Sequence, residues 1–573
     1  MPIHNSDIAD MFEEMADLLE IQDANPFRVR SYRNAARTVS GLSRSLTDMV
    51  DEEEDLTELS GIGESLADKI VQVVETGHLK QLEELEKEVP TGLRSMMRVE
   101  GLGPKRTSQI WKELGVETLE ELKAAAETGR IRELEGFGEK TEQNILEGIE
   151  RAMAGEERTR IDVAEERAEA FLEYLRELDT IDRVIAAGSY RRRKETVGDL
   201  DILVSCDDNE TVMDRFVDFE DVTDVVSRGE TRSTVHVRPE FQVDLRVVPD
   251  ESYGAALHYF TGSKAHNIAV RQRGVDRDLK INEYGIFEGE DERVGGEEEE
   301  EVFDAVDMDF VPPELREDRG EIEAAADGEL PELVTLDDIR GDLHSHTTAT
   351  DGRDDLEEMA EAAKSYGHEY LGISDHSKAV TVAGGLDGDE LREQMEAIDE
   401  MNEKIDGLEL LKSCEVDILE DGSLDLPDDV LEELDYTICS VHSKFNLDRD
   451  EQTERFIRAM DNPNCNILGH LTGRMIGTRE AYALDVERIL KAAAEGDVVI
   501  EINAQPKRLD LRDVHAQQAR EIGVAIAINT DSHATEQLAN IRYGVDQARR
   551  GWLEADNVIN TQPLDELLAV FDR

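Results

Sequence analysis

The sequence predicts a multidomain chain: an all-α region, then an α+β unit, then a β/α unit. Three observations lead there. The chain has 573 residues, well beyond one ordinary domain. A Gly-apolar-Gly pattern occurs three times before residue 155, each time ahead of a helical stretch. From residue 341 onward, short apolar runs alternate with helical patterns to the end, the signature of a β/α barrel or layered sheet.

Composition narrows the class further. The net charge is -72, from 135 acidic and 63 basic residues, and it is spread along the chain. Such a surface suits molar salt, so a halophilic source is expected. A hydrophobic content of 39% with periodic segments argues against an acidic disordered protein. Cys206, Cys414, Cys439 and Cys465 form no C-x-x-C pair, so neither a disulfide framework nor a thiolate zinc site is indicated, and the compartment reads as reducing. No apolar run approaches the roughly 20 residues that span a bilayer. The opening MPIHNSDIADMFEEMADLLE reads as an acidic amphipathic helix and not a signal peptide. A cytoplasmic protein without a membrane partner is expected, and nothing demands more than a monomer.

The three repeats are LSGIGESLADKI (59–70), VEGLGPKRTSQI (99–110) and LEGFGEKTEQNI (134–145). A tight Gly-x-Gly turn that opens a helix aims backbone N–H groups outward, where they suit a phosphate oxygen. The same glycines also suit simple caps and turns. Beyond them, a helix near 162–179 and strands at 183–188, 199–205, 234–238 and 241–248 begin an α+β unit near residue 160. The run 289–309 reads as a solvated, mobile acidic loop, and 312–340 as a linker.

In GSYRRRKETVGDLDILV, Asp199 and Asp201 stand two apart on a strand, so both carboxylates leave one face. Asp244, in FQVDLRVV, lies on another strand and shares its face with Gln242 and Arg246. Three converging carboxylates hold two Mg²⁺ ions about 4 Å apart for in-line phosphoryl displacement. By spacing alone, D-x-D in so acidic a chain reads first as a solvated strand face. Gly188-Ser189 and the arginines after them add backbone, hydroxyl and guanidinium donors for a triphosphate.

With YFTGSKAHNIAVR (259–271) and INEYGI (281–286), these segments resemble the X-family DNA polymerases, relatives of animal DNA polymerase beta. The resemblance covers residues 1 to about 320. It implies a helix-hairpin-helix DNA-binding domain (1–90), a second helix-hairpin-helix region (91–155), a nucleotidyltransferase palm (156–250) and a nucleotide-selection subdomain (251–320). Carried over, Asp199, Asp201 and Asp244 are metal ligands, with Asp244 also taking the primer hydroxyl proton. Gly188, Ser189, Arg192 and Gly198 hold the triphosphate. Tyr259 and Phe260 wall the sugar, Gly262 makes a backbone turn, Asn267 faces the base and Arg271 the template. Gly61, Gly63, Gly101, Gly103, Gly136 and Gly138 grip the DNA backbone, which carries no base information. Lys264 departs from animal polymerase beta, which has an acidic residue there, and this bears on fidelity. Lys69 aligns with a lysine that forms a Schiff base with abasic sugar phosphates in some members. A lowered pKa would be needed for that, and a plain phosphate contact is the alternative.

After a linker (321–340), residues 341–573 carry His344-x-His346, Asp351, His376 in GISDHS, Glu415 in SCEVD, His442 in CSVHSKF, His470 in LGHLTGR, and Asp531-x-His533. Most follow an apolar strand-like run, where β/α barrels present catalytic groups. Mixed histidine and carboxylate ligands suit Mn²⁺, Zn²⁺ or Fe²⁺ and activate a bound water against a phosphoester. The set resembles the PHP (polymerase and histidinol phosphatase) domain, a distorted seven-stranded β/α barrel with up to three Mn²⁺ or Zn²⁺ ions. All nine ligand positions are filled. Arg474 and Arg508 are candidates to hold substrate phosphates.

The expected function is gap-filling DNA synthesis in repair, using dNTPs on gaps, nicks or 3′ ends. The PHP domain would serve as 3′-5′ exonuclease, abasic-site endonuclease or 3′-phosphatase. The alternatives are a DNA-end nuclease whose polymerase core positions DNA, and a non-catalytic DNA-end scaffold. In about 1 M salt the Debye length is about 3 Å, so the net charge would hardly repel DNA. Local basic clusters at Arg28–Arg37, Lys105-Arg106, Arg191–Lys194 and Arg271–Arg273 would decide contact.

Overall fold

A computed structural model describes residues 5–571 except 23, 41–45, 52–53, 60, 77, 87–88, 91, 98, 100–101, 135, 139, 144, 147–148, 150–157, 239–240 and 290–291. Two compact units result, Met1–Glu157 and Arg158–Arg573.

The first unit is helical, and its three repeats fold alike. In each, the apolar residue between the glycines is buried: Ile62, Leu102 and Phe137. The backbone N–H of that residue donates to a carbonyl three residues back, from Ile62 to Leu59, Leu102 to Val99 and Phe137 to Leu134. The carbonyls of Gly63, Gly103 and Gly138 then accept from Ala67, Thr107 and Glu142, which starts a helical turn. A methyl group built on Gly63, Gly103 or Gly138 would meet nothing within 4 Å, so the outer side of each turn is open to a ligand. Gly61 and Gly136 have φ of +75° and +84°, a region that favours glycine. Gly101 lies outside the described residues.

The second unit starts with a mixed five-stranded sheet in the order Ile181–Ala186, Asp199–Cys206, Phe241–Val248, Arg232–Val237, Val222–Arg228. Its central pair, Asp199–Cys206 and Phe241–Val248, is parallel and sets Asp201 beside Asp244. Helices Ile161–Arg176 and Asn209–Val217 cover it with Phe171 and Phe216. Residues 187–188 end the expected first strand early, because Gly188 opens the short helix Gly188–Arg191.

Two expectations are corrected in the next segment. The run expected to be one acidic loop, 289–309, holds regular structure among its described residues. It holds the strand Glu292–Gly295 and the helix Glu300–Asp304, with Val302, Phe303, Val306 and Met308 in a core. Its acids find local partners: Glu301 accepts from the N–H groups of Gly296 and Glu297, and Glu299 pairs with Arg191 and Arg316. The expected linker likewise holds the helix Glu321–Asp327, where buried Glu321 accepts from the backbone of Asp318 and Arg319.

Residues from 341 form parallel strands in chain order: Gly341–Ser345, Tyr370–Ile373 and Glu409–Lys412, then Glu415–Asp417, Ile438–Ser440, Ile467–Leu468, Val499–Asn503 and Ile526–Asn529. A His376–Glu415 bridge joins the two sheets on one side and a Ser345–Ser532 bridge on the other. Acids cap several of its helices: Asp355, Asp387, Asp448 and Asp485 accept from N–H groups in the first turn. Leu509 and Tyr543 pack into the core of the mixed sheet, so the two parts of this unit share a hydrophobic core. Among the described residues, no helix is long and apolar enough to cross a membrane.

Candidate metal centres

Carboxylate oxygens of Asp199, Asp201 and Asp244 lie within 4.8 Å of one another. Strand alternation puts Asp199 and Asp201 on one face while Leu200 is buried beneath. Asp244 is oriented from both sides: Thr234 Oγ1 donates to it at 2.5 Å and Gln242 Nε2 at 2.7 Å, with Arg232 at 3.1 Å. Burial, together with the charges of Asp199 and Asp244, pushes the Asp201 carboxyl up to about 7. Such mutual repulsion is relieved by a divalent cation, and the donor set fits Mg²⁺.

Beside the triad is a cavity of about 970 Å³. It is lined by Gly188, Ser189, Arg192, Tyr259, Phe260, Gly262 and Asn267, expected around the nucleotide, by Arg271, expected to face the template, and by Lys264, whereas Gly198 does not line it. Gly198 precedes Asp199 and lies under the Arg158 guanidinium. Gly188 is required on two counts: its φ is +62°, and a Cβ would stand 2.5 Å from Asp201 Oδ2. Asn267 Nδ2 donates to the Tyr259 carbonyl at 2.7 Å. The arginine cluster is only partly a phosphate site. Arg192 and Lys194 line the cavity, whereas Arg191 pairs with Glu299, and Arg193 with Asp546 and Glu165.

The second centre lies among the strands of the C-terminal part. Three groups of ligand atoms fall within 4.8 Å of one another: His346, Asp351, His376 and His533; His344, His346 and Asp531; His376, Glu415 and His442. His470 Nε2 joins them 2.9 Å from Glu415 Oε1. All nine expected ligands therefore meet in one place. His344 Nε2, both ring nitrogens of His346, and Glu415 Oε2 are buried without a hydrogen-bond partner, which is the state of a donor atom meant for a metal. Burial, with His376 and His533 beside it, lowers the His346 imidazole to about 3, so it is an uncharged donor at neutral pH. A cavity of about 290 Å³ opens onto the group, with Lys507 and Arg508 on its wall. Arg474, the other arginine expected to hold phosphate, does not reach it: its η nitrogens grip Glu195 of the mixed-sheet part at 2.7 and 3.0 Å.

Comparison with known proteins settles the lineage. The DNA polymerase/3′-5′ exonuclease PolX of Bacillus subtilis (strain 168) is 38% identical over 574 residues, covering 100% of both chains. This chain belongs to the X-family DNA polymerases with a PHP domain. Family profiles match along it in order: a helix-hairpin-helix domain (3–79), a SAM-like helix-hairpin-helix tandem (93–151), the DNA polymerase beta palm (160–237) and thumb (256–317), and a PHP domain (342–505). The PHP part is also similar to probable phosphatases. One from Thermoanaerobacter sp. (strain X514) is 30% identical over 231 residues, 38% of this chain and 89% of that protein. One from Caldanaerobacter subterraneus subsp. tengcongensis is 37% identical over 141 residues, 23% of this chain and 53% of that protein.

The family-X chain also has supporting residues that the motif reading missed. Glu501 is fully buried and takes the His344 Nδ1 hydrogen bond at 2.6 Å, and it accepts from the His470 backbone N–H at 2.8 Å. Asp417 does the same for His442, 3.1 Å from its Nδ1. Such partners fix the ring orientation and raise ligand basicity. The visible signal was Glu501-x-Asn503 on one face of VIEIN. Glu501→Gln is expected to lower metal affinity or nuclease activity about 10- to 100-fold. Metal content after dialysis, read beside primer-shortening rate, checks it.

Proposed function

We propose that the chain fills short DNA gaps at the Asp199–Asp201–Asp244 centre with Mg²⁺, and trims 3′ ends at the nine-ligand centre with Mn²⁺ or Zn²⁺, up to three ions. The observation carrying this reading is the carboxylate triad, two of whose members, Asp199 and Asp201, line a cavity shared with Gly188, Ser189 and Arg192. Asp244 would take the primer hydroxyl proton, while Ser189, Arg192 and the Gly188 turn would hold the triphosphate. The second centre would remove nucleotides that block extension. The test uses purified full-length protein, high KCl, Mg²⁺ and Mn²⁺, and a 5′-labelled primer on gapped DNA. Extension with dNTPs and shortening without them supports both centres. Shortening that dNTPs do not alter would leave a nuclease whose polymerase core positions DNA.

We also propose that Lys69 attacks abasic sugar phosphates. Its Nζ donates to Ser65 and lies 5.9 Å from the Tyr32 ring. Burial first, and Arg28 second, lower its pKa, and Arg28 is the cationic neighbour such a nucleophile needs. Borohydride should trap the wild-type chain on abasic DNA and fail with Lys69→Ala. Equal trapping of the variant would leave Lys69 as a phosphate contact.

A further inference from the structure

One wall of the nucleotide cavity belongs to the PHP part of the chain. Arg512, Asp513 and Arg550 line the same space as Ser189, Arg192 and Lys264. That wall is pinned from behind. Asp513 takes Arg550 Nη2 at 2.5 Å and Arg319 Nη2 at 2.9 Å, and Arg550 Nη1 donates to the carbonyl of Arg192 at 2.7 Å. Across from it, both carboxylate oxygens of Glu195 already bind Arg474.

Arg512 stands between these anchors. Its backbone immediately precedes pinned Asp513, whereas its side chain is 53% exposed and approaches Glu195 at only 4.0 Å. Glu195 holds a closer guanidinium, so it neutralises Arg512 weakly. The result is a positive group on a rigid base, facing a cavity in which another lining cation, Arg192, already bonds Glu317 and the Thr261 carbonyl. A guanidinium so placed is suited to bind phosphate oxygens in a bidentate manner.

We propose that Arg512 is a phosphate-binding residue of the polymerase site, donated by the PHP domain. Its ligand is an anionic phosphate oxygen inside the cavity, from the incoming nucleotide or the DNA backbone. The inference rests on reading this cavity as the nucleotide site. It means that the PHP domain completes the polymerase centre in addition to carrying its own.

The experiment compares full-length wild type, Arg512→Ala and Arg512→Lys on gapped DNA with Mg²⁺, reading KM for dNTP, kcat, and Kd for the same DNA. Arg512→Ala should raise KM for dNTP about tenfold, the size of one lost charge-assisted hydrogen bond, with Arg512→Lys between it and wild type. Primer shortening without dNTPs, read at saturating DNA, should keep its wild-type rate, because the side chain is exposed and outside the nine-ligand centre. A weaker DNA Kd with KM unchanged would support the phosphate role and name the DNA backbone as its source. Unchanged KM and Kd in Arg512→Ala would overturn the inference. A wild-type chain that incorporates no nucleotide would instead overturn the reading of the cavity.

Discussion

Asp244→Ala should reduce nucleotide incorporation by about three orders of magnitude, the several kcal/mol that metal-borne charge stabilisation contributes to phosphoryl transfer. The residue is oriented by Thr234, Gln242 and Arg232 and faces Asp201 across a parallel strand pair. Losing it removes a ligand shared with Asp199 and Asp201, and the proposed acceptor of the primer proton. Stability should move the other way. Three clustered acids repel one another, and that repulsion adds to burial in raising the Asp201 carboxyl, so the metal-free variant should melt no lower than wild type. Primer shortening should persist, since the nine-ligand centre draws on other strands. Incorporation at the wild-type rate by Asp244→Ala would refute the assignment, and a lowered Tm would attribute the loss to folding.

How much of this was legible beforehand follows from which residues carry local signals. The triad and the nine ligands showed because each member sits in a short motif whose strand alternation or strand-end position is readable. The Gly-apolar-Gly turns showed because repetition separates them from ordinary caps. Glu501 and Asp417 did not show: Glu501 is the one acid of a strand buried on both faces, and Asp417 follows Glu415 on another such strand, in a chain with 135 acidic residues. The segment 289–309 was misread because its acids mask the apolar spacing of Val302, Phe303, Val306 and Met308. The strand Val222–Arg228 was missed because it is an edge strand, exposed along most of its length, with no buried alternation to reveal it. Arg191, Arg193 and Arg474 looked like phosphate ligands because their partners are remote in sequence. Asp546 is 353 residues from Arg193, and Glu195 is 279 from Arg474. Local motifs thus reveal chemistry that lies on one element, whereas ion pairs that join elements become visible only in the folded chain.

His346→Ala should abolish primer shortening, by about three orders of magnitude or more, while leaving extension intact. His346 belongs to two of the three ligand groups, one with His344 and Asp531, the other with Asp351, His376 and His533. Truncation therefore strips a donor from two sites at once. It is also wholly buried, with neither ring nitrogen in a hydrogen bond, so its loss leaves a gap that bulk water does not reach. Asp351 offers the contrast. Its side chain is 37% exposed at the rim and it belongs to one group, so water can substitute for it and Asp351→Ala should lose less activity than His346→Ala. Metal analysis separates ligand loss from misfolding: His346→Ala should retain fewer ions per chain at unchanged helix content. If His346→Ala still shortened primers at the wild-type rate, the exonuclease would have to reside outside this centre. If Asp351→Ala were the more damaging change, the exposed edge of the ligand set would matter more to the reaction than its buried part.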